Sequence, residues 1–421
     1  MKKILHNSSA ILAALWMSSA ALAEDIILKP KQVLDVVSGK MLKGAAVHVK
    51  DGKIVAVGNV SVDGAKVIDL KEKTLLPGLM DMHVHLTGDP TEGFFADVSY
   101  SQPRYAVRAV RLAKRTLMAG FTTVRNLGAG GYSVIAVRDG INAGEIMGPR
   151  IWAAGNSIGI VGGHCDNNWS PPEANAQSGG AANGPWAVRA KVRENIKYGA
   201  NTIKICATGG VFSKGTSVGA QQMVLEEMKA AVDEAHLRGR IIAAHAHGTS
   251  GIKDAIRAGV DSIEHCSFLD QEGIDLALKH GTYLSCDIYN TEYTLAFGEA
   301  NGVPEENINK EKMVSKAQRE SFRKAHEAGV KLVFGSDAAI YPHGDNAKQF
   351  SVMVKFGMTP LESIQAATIT SAALLKQEKS LGQIKAGFLA DIIAVDGDPT
   401  QNVKVLENVS FVMKDGKVYK K

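Results

Sequence analysis

Eight short apolar runs punctuate the middle of the chain: Leu79–Leu86, Thr122–Leu127, Ile151–Ile158, Thr202–Ala207, Ile241–His247, Ser262–His265, Thr282–Ile288 and Leu332–Phe334. Segments of helical spacing separate them, among them Arg104–Ala119, Leu225–Leu237 and Lys310–Ala328. A glycine stands shortly before most runs, at Gly120, Gly199, Gly239, Gly259, Gly281 and Gly329, where each crossover ends. Strand-length apolar runs that alternate with helices predict parallel strands joined by helical crossovers. Eight such units predict an α/β fold of the (β/α)8 TIM-barrel type. An open doubly wound sheet is the competing architecture. No GxGxxG follows the first run, which weakens its usual nucleotide-binding form.

Both chain ends read differently. Ala45–Val49 and Ile54–Val57 flank Asp51-Gly52, a strong hairpin pattern. Ala390–Val395 is a further strand, and Val409–Met413 and Val418-Tyr419 flank a second Asp-Gly turn at Asp415-Gly416. Two β-rich ends around a different middle predict one small β domain built from both termini, over 24–77 plus 378–421. The barrel would then occupy 78–377.

The polar exceptions within the apolar runs carry the chemistry. His83, His85, His245, His247, His265, Lys204 and Asp337 interrupt strands that should be apolar, nearly all at C-terminal ends. That end of a TIM barrel is its catalytic rim. His83-x-His85 and His245-x-His247 each place two imidazoles on one side of a strand, a spacing that can serve one metal ion. Spacing alone does not decide between His245 and His247. Lys204 sits in Thr202–Cys206, where an unpaired ammonium is costly. Either an acid pairs with it, or carbon dioxide carboxylates it. The resulting carbamate is anionic and offers two oxygens to metal ions. His48, His236, His280 and His326 fall in hairpin or helical contexts and receive no role.

Taken in order, Leu76-Pro77-Gly78-Leu79-Met80-Asp81-Met82-His83-Val84-His85, Lys204, His245-Ala246-His247-Gly248, Ile263-Glu264-His265 and Gly335-Ser336-Asp337 resemble the amidohydrolase superfamily over essentially the whole mature chain. Gly387–Ile393 resembles the closing strand of that family's β-sandwich. Ala207-Thr208-Gly209-Gly210 and Gly162-Gly163-His164 resemble its prolidase-type dipeptidases and ochratoxin-hydrolysing members. The resemblance implies two divalent metal ions, usually zinc. His83, His85 and Asp337 would hold the more buried ion, His245 and His265 the other, and carboxylated Lys204 would lie between them. It also implies a homo-oligomer.

Such a metal pair lowers the pKa of water and polarises an amide carbonyl. Asp337 would take the proton from the attacking water and pass it to the departing amine. His164 and His247 are assigned to the substrate carbonyl or carboxylate. Tyr289 after the seventh run, Arg125 ending the second, and His343 in Tyr341–Gly344 are further candidates for substrate contact. The expected substrate is a small amide: a dipeptide or an N-acyl amino acid cleaved at its C-terminal amide, ochratoxin-like amides included. A deaminase or cyclic-amide hydrolase on the same fold is one alternative, against which Lys204 counts. A non-catalytic metal-binding protein is the other.

Composition adds constraints. The 421 residues are 45% hydrophobic and 22% charged, as in globular proteins with a large core. The formal net charge of +5 includes Lys2 and Lys3 and is too small to imply a nucleic-acid partner. Those lysines, apolar Ile11–Met17 and Ala21-Leu22-Ala23 read as a secretory leader over 1–23, which predicts a periplasmic or secreted protein. That apolar stretch is too short to span a membrane, and no membrane anchor is expected. The four cysteines do not read as a disulfide framework, so buried unpaired thiols are expected. The long loop 160–185, rich in Gly, Asn and Pro, is expected to fold over the site.

Overall fold

The computed structural model describes residues 25–421. The expected leader at 1–23 lies outside the described residues. Strands β1 (Ile26–Leu34), β2 (Met41–Lys43), β3 (Ala46–Lys50), β4 (Lys53–Gly58) and β5 (Lys66–Pro77) form the N-terminal part. The middle contributes β6 (Leu79–Val84), β7 (Phe121–Asn126), β8 (Arg150–Ala153), β9 (Thr202–Cys206), β10 (Ile241–Ala246), β11 (Ser262–His265), β12 (Tyr283–Ser285) and β13 (Leu332–Val333). The C-terminal strands are β14 (Ile392–Asp396), β15 (Phe411–Lys414) and β16 (Lys417–Lys420).

One eight-stranded sheet unites both ends, in the order β16-β15-β14-β5-β1-β3-β4, with β2 on β1. Its hairpins turn where expected. Asp51 and Gly52 have φ of 50° and 73°, and Asp415 and Gly416 have 48° and 75°. Positive φ at both turn residues matches the right-handed twist of the flanking strands. β5 is the surprise. It runs for 12 residues rather than as a short strand, parallel to β1 and antiparallel to β14, and so couples the two chain ends.

All eight middle runs become parallel strands, in the orders β6-β7-β8 and β9-β10-β11-β12-β13. Hydrogen bonds join the two sets at both seams. Ile158 N donates to Lys204 O at 2.9 Å and Cys206 N to Ile158 O at 2.8 Å. On the other side Met82 N donates to Phe334 O at 2.8 Å and Asp337 N to His83 O at 2.7 Å. The crossover helices form close to their expected limits, at Gln102–Met118, Leu225–Leu237 and Glu305–Glu327. A buried cluster including Leu79, Phe121, Ile203, Ile242, Ile263, Leu284 and Phe334 fills the space between strands and helices. Among the described residues, no helix is long and apolar enough to cross a membrane.

The cysteine expectation is half wrong. Cys266 and Cys286 are buried free thiols, but Cys165 and Cys206 form a disulfide. Loop 160–185 folds back and brings Cys165 to the end of β9, with Cα atoms 6.1 Å apart. A sequence separation of 41 hides this proximity. The bond closes a long loop and thus restricts the unfolded chain. Reduction, or Cys165→Ser, is expected to destabilise the protein by roughly 2–4 kcal/mol. Thermal unfolding with and without reductant checks this.

Candidate active site

The strand ends bring the polar exceptions to one rim. His83 lies on β6 and is buried, with Nε2 3.5 Å from Lys204 Nζ and 3.4 Å from Asp337 Oδ1. His85 follows β6, with Nε2 3.5 Å from Asp337 Oδ1 and Nδ1 3.0 Å from Gly128 O. Holding Nδ1 on a carbonyl leaves Nε2 directed at the rim. His245 ends β10, stacks on His164 with ring centres 4.0 Å apart, and has its Nε2 buried without a partner. His247 stacks on His265 at 4.6 Å. Two overlapping groups each bring their ligand atoms within 4.8 Å of one another: His245, His247 and His265, and His83, His265 and Asp337.

Supporting residues fix this arrangement. Asp81, one residue pair below His83, accepts hydrogen bonds from Ser336 N at 3.0 Å and Asn346 Nδ2 at 2.8 Å. It thereby clips the first strand to the segment that presents Asp337. Asp287 accepts from Gln318 Nε2 at 2.9 Å and lies 2.9 Å from His265 Nδ1. Ser267 Oγ lies 2.7 Å from His247 Nδ1. His265 and Asp337 adopt φ of 74° and 54°, a left-handed backbone that costs energy for such residues. The surrounding clips hold that strain where the two side chains must meet. Gly210 keeps the rings close. A Cβ there would lie 2.4 Å from His164 and 2.8 Å from His245.

Burial controls the charges. It pushes the pKa of His83, His245 and His247 well down, leaving neutral rings that can donate lone pairs. Burial opposes a charge on His265 too, but the carboxylates of Asp287 and Asp337 hold its pKa up. Burial lowers Lys204 to about 8, against the pull of Glu264 and Asp337. Burial also raises Asp337 to about 7.

Three expected substrate contacts are not brought to the rim as contacts. Arg125 is wholly buried beneath it. Its guanidinium donates to Met82 O at 2.7 Å, Ser262 Oγ at 3.0 Å and Glu264 Oε1 at 2.8 Å. Glu264 in turn lies 3.2 Å from His83 Nδ1, so Arg125 acts through Glu264 on a rim histidine. His343 is buried, with both ring nitrogens engaged: Nδ1 3.1 Å from Thr116 Oγ1 and Nε2 3.1 Å from His85 O. Tyr289 packs edge-on against Tyr341, with ring centres 4.8 Å apart. Arg125 ends β7, and Tyr289 and His343 follow rim strands in sequence, but none of the three lines the cavity of the rim histidines.

His164, His245, His247, His265, Lys204 and Asp337 line one cavity of about 190 Å³. His164 and Cys165 carry loop 160–185 into its wall, as expected of that loop. Asp287, Asn290, Glu311 and Gln318 also line it and were missed in the sequence reading. Only the position of Asp287 at the end of the seventh run could have marked it. Phe212 and Ile340 border this cavity and a second one of about 200 Å³, lined by Phe94, Tyr293 and Val303.

A rim of this kind on eight parallel strands defines a class. The model of the amidohydrolase family matches residues 74–419, and the chain belongs to that family. Within it, the chain is 32% identical to the ochratoxinase of Aspergillus niger, over 91% of this chain and 84% of that protein. The crystal structure of an Xaa-Pro dipeptidase with methionine bound in its active site is 40% identical. It superposes with a TM-score of 0.88 over 94% of this chain and 100% of that one. The crystal structure of the A. niger ochratoxinase superposes at 0.84, with 30% identity, over 94% and 96% of the two chains. The protein is a hydrolase that acts on amide or peptide bonds.

Proposed function

We propose that the protein is a two-metal amidohydrolase that cleaves the C-terminal amide of dipeptides or N-acyl amino acids, ochratoxin-like amides included. The observation that carries this reading is the buried Lys204 amine, 3.5 Å from His83 Nε2 and set among neutral imidazoles and the Asp337 carboxylate. Burial lowers the pKa of that amine to about 8, which favours the neutral form that becomes a carbamate. The unpartnered Nε2 of His245 fits a metal ligand. The donor set of imidazole and carboxylate suits zinc and related divalent ions.

In this reading His83, His85 and Asp337 would hold one ion and His245 and His265 the other, with carboxylated Lys204 as a further ligand. Bound divalent ions would acidify a water and polarise the scissile carbonyl. Asp337 would accept a proton from the attacking water at a carboxylate oxygen and deliver it to the leaving nitrogen. His164 and His247, whose rings line the cavity, orient the substrate carbonyl or carboxylate. The eight parallel strands are read as a (β/α)8 barrel over 78–377, with a β-sandwich from 24–77 and 378–421. Export to the periplasm or medium, supported by the Cys165–Cys206 disulfide, and a homo-oligomer complete the proposal.

A panel of dipeptides and N-acyl amino acids, with and without chelator, tests the activity. Chelator-sensitive release of the C-terminal amino acid is expected, with two metal ions per chain. A firm count of one ion would favour a deaminase instead. Carbamate formation needs the neutral amine. With Lys204 lowered to about 8, activation of metal-free protein by metal at a fixed concentration of dissolved carbon dioxide should accelerate as pH rises to about 8 and then level off. Activation that is insensitive to carbon dioxide at every pH would remove the carbamate.

A further inference from the structure

His164 reaches the wall of the site from a stretch with no regular structure of its own. Residues 161–170 contain no helix or strand, and His164 is half-buried. Its ring lies on His245, with centres 4.0 Å apart, yet its Nδ1 is buried without a hydrogen-bond partner. Nearby hydrogen bonds close on the loop itself. Asp166 accepts from Gly162 N and Ser178 N, each at 2.8 Å, and Asn168 Nδ2 donates to Gly163 O at 2.8 Å. His164 N donates to Gln222 Oε1 at 2.8 Å, which fixes the backbone but not the ring.

The next residue supplies a covalent anchor. Cys165 is bonded to Cys206, which ends β9 two residues after Lys204. Cys206 is also the register partner of His245 on β10. A small circuit closes: from His164 to Cys165, across the bond to Cys206, across the strand ladder to His245, and back through the stacked rings. Both cysteines line the same cavity as His164, Lys204 and His245. Gly159 makes room for the bond, since a Cβ there would lie 3.2 Å from Cys165 Cβ and 3.5 Å from Cys206 Cβ. A disulfide that only stabilises acts on the unfolded chain and leaves the folded geometry as it was. This one ties an irregular loop to a buried strand end, one residue from a ring that no hydrogen bond holds at Nδ1.

We propose that the Cys165–Cys206 disulfide is a positioning element for the reaction, which holds the His164 ring over His245 so that it meets substrate in one orientation. This rests on the reading above, in which His164 orients the substrate, and adds what keeps His164 in place. Thiol titration of the unfolded, unreduced protein should find two free thiols, those of Cys266 and Cys286. Finding all four cysteines free would overturn the proposal.

In the metal-loaded double variant Cys165→Ala, Cys206→Ala, kcat/KM on the best dipeptide is expected to fall by about 10- to 100-fold, measured well below the unfolding temperature with metal content verified. His164→Ala decides the cause. In that background, removal of the disulfide should cost less than about a further twofold, because the group it positions is already gone. An unchanged kcat/KM in the cysteine variant, or equal losses in the two backgrounds, would overturn the proposal. If the cysteine variant does not fold, the same comparison is made with wild type and His164→Ala reduced by a trialkylphosphine. Phosphine and water then convert the S–S bond to two thiols and a phosphine oxide, and reoxidation should restore the wild-type rate. A crystal structure of the disulfide-free protein reads His164 without turnover, and its ring is expected to leave His245. A displaced ring, with no dipeptide or N-acyl amino acid hydrolysed by the wild type, would leave the anchoring role standing and remove the proposed substrate class. A ring still stacked on His245, with wild-type hydrolysis intact, would do the reverse.

Discussion

Asp337→Asn is expected to lower kcat by about 100- to 10,000-fold while the protein stays folded, because the amide can still occupy the same space but cannot accept the proton. Asp337 Oδ1 lies 3.4 Å from His83 Nε2 and 3.5 Å from His85 Nε2, so one carboxylate oxygen faces both imidazoles. Its backbone N donates to His83 O, and φ of 54° turns the side chain into the cavity. Those contacts do not depend on the carboxylate charge, so the fold should survive. The measurement is kcat on metal-loaded protein with metal content verified for each sample. A variant with full metal occupancy and near-normal kcat would remove Asp337 from proton transfer. Loss of metal together with kcat would reduce its role to ligation.

Arg125→Met is expected to destabilise the protein by about 3–5 kcal/mol, read from denaturant unfolding. Both Arg125 and Glu264 are fully buried, 2.8 Å apart. Burial alone would favour a protonated Glu264, but the Arg125 guanidinium holds it ionised, well below the usual carboxylate range. Removing the arginine strands that charge. The double variant Arg125→Met, Glu264→Leu should regain most of the loss, since an apolar pair has no charge to strand. It should still bind metal more weakly, because Glu264 also lies 3.2 Å from His83 Nδ1 and orients that ring. A double variant as unstable as the single one would show that shape, not charge, sets the cost.

The eight apolar runs were legible because strand and helix differ in period, and the runs alternate with helical segments of matching length. Most boundaries shifted by a residue or two, but the strands within Ile151–Ile158 and Thr282–Ile288 end early, at Ala153 and Ser285, and Leu332–Phe334 shrank to two residues of strand. The helices Asn290–Phe297 and Lys348–Lys355 were not legible, the first because it has almost no amphipathic pattern and the second because it spans only eight residues. The His-x-His pairs, Lys204 and Asp337 were legible for a different reason. Each is a polar residue where burial forbids one without a partner, so each marks itself.

Arg125, Tyr289 and His343 show the limit of that reasoning. A residue at a strand end is near the rim, but strand twist and the path of the following loop choose whether its side chain faces the mouth, the interior or the helix layer. Asn290 and Glu311 lacked any local mark, and Asp287 had only its position at the end of the seventh run. Glu311 reaches the cavity because Asn307, Lys310 and Gln318 tie its helix to the loop after β9 and to the strand ends. Cys165 and Cys206 likewise meet only because loop 160–185 returns to β9.

The sequence by itself determined the alternating α/β architecture, the Asp-Gly hairpins and the polar residues of the rim. These follow from local period, turn chemistry and the cost of burying an unpaired charge. Tertiary structure alone decided which groups converge. It placed the Lys204 amine among the imidazoles, sank Arg125 onto Glu264 below them and closed the disulfide. It also brought Glu311 into the cavity from a distant helix. Those are contacts between residues far apart in the chain, and their geometry comes from how strands twist and helices pack, which no local pattern encodes.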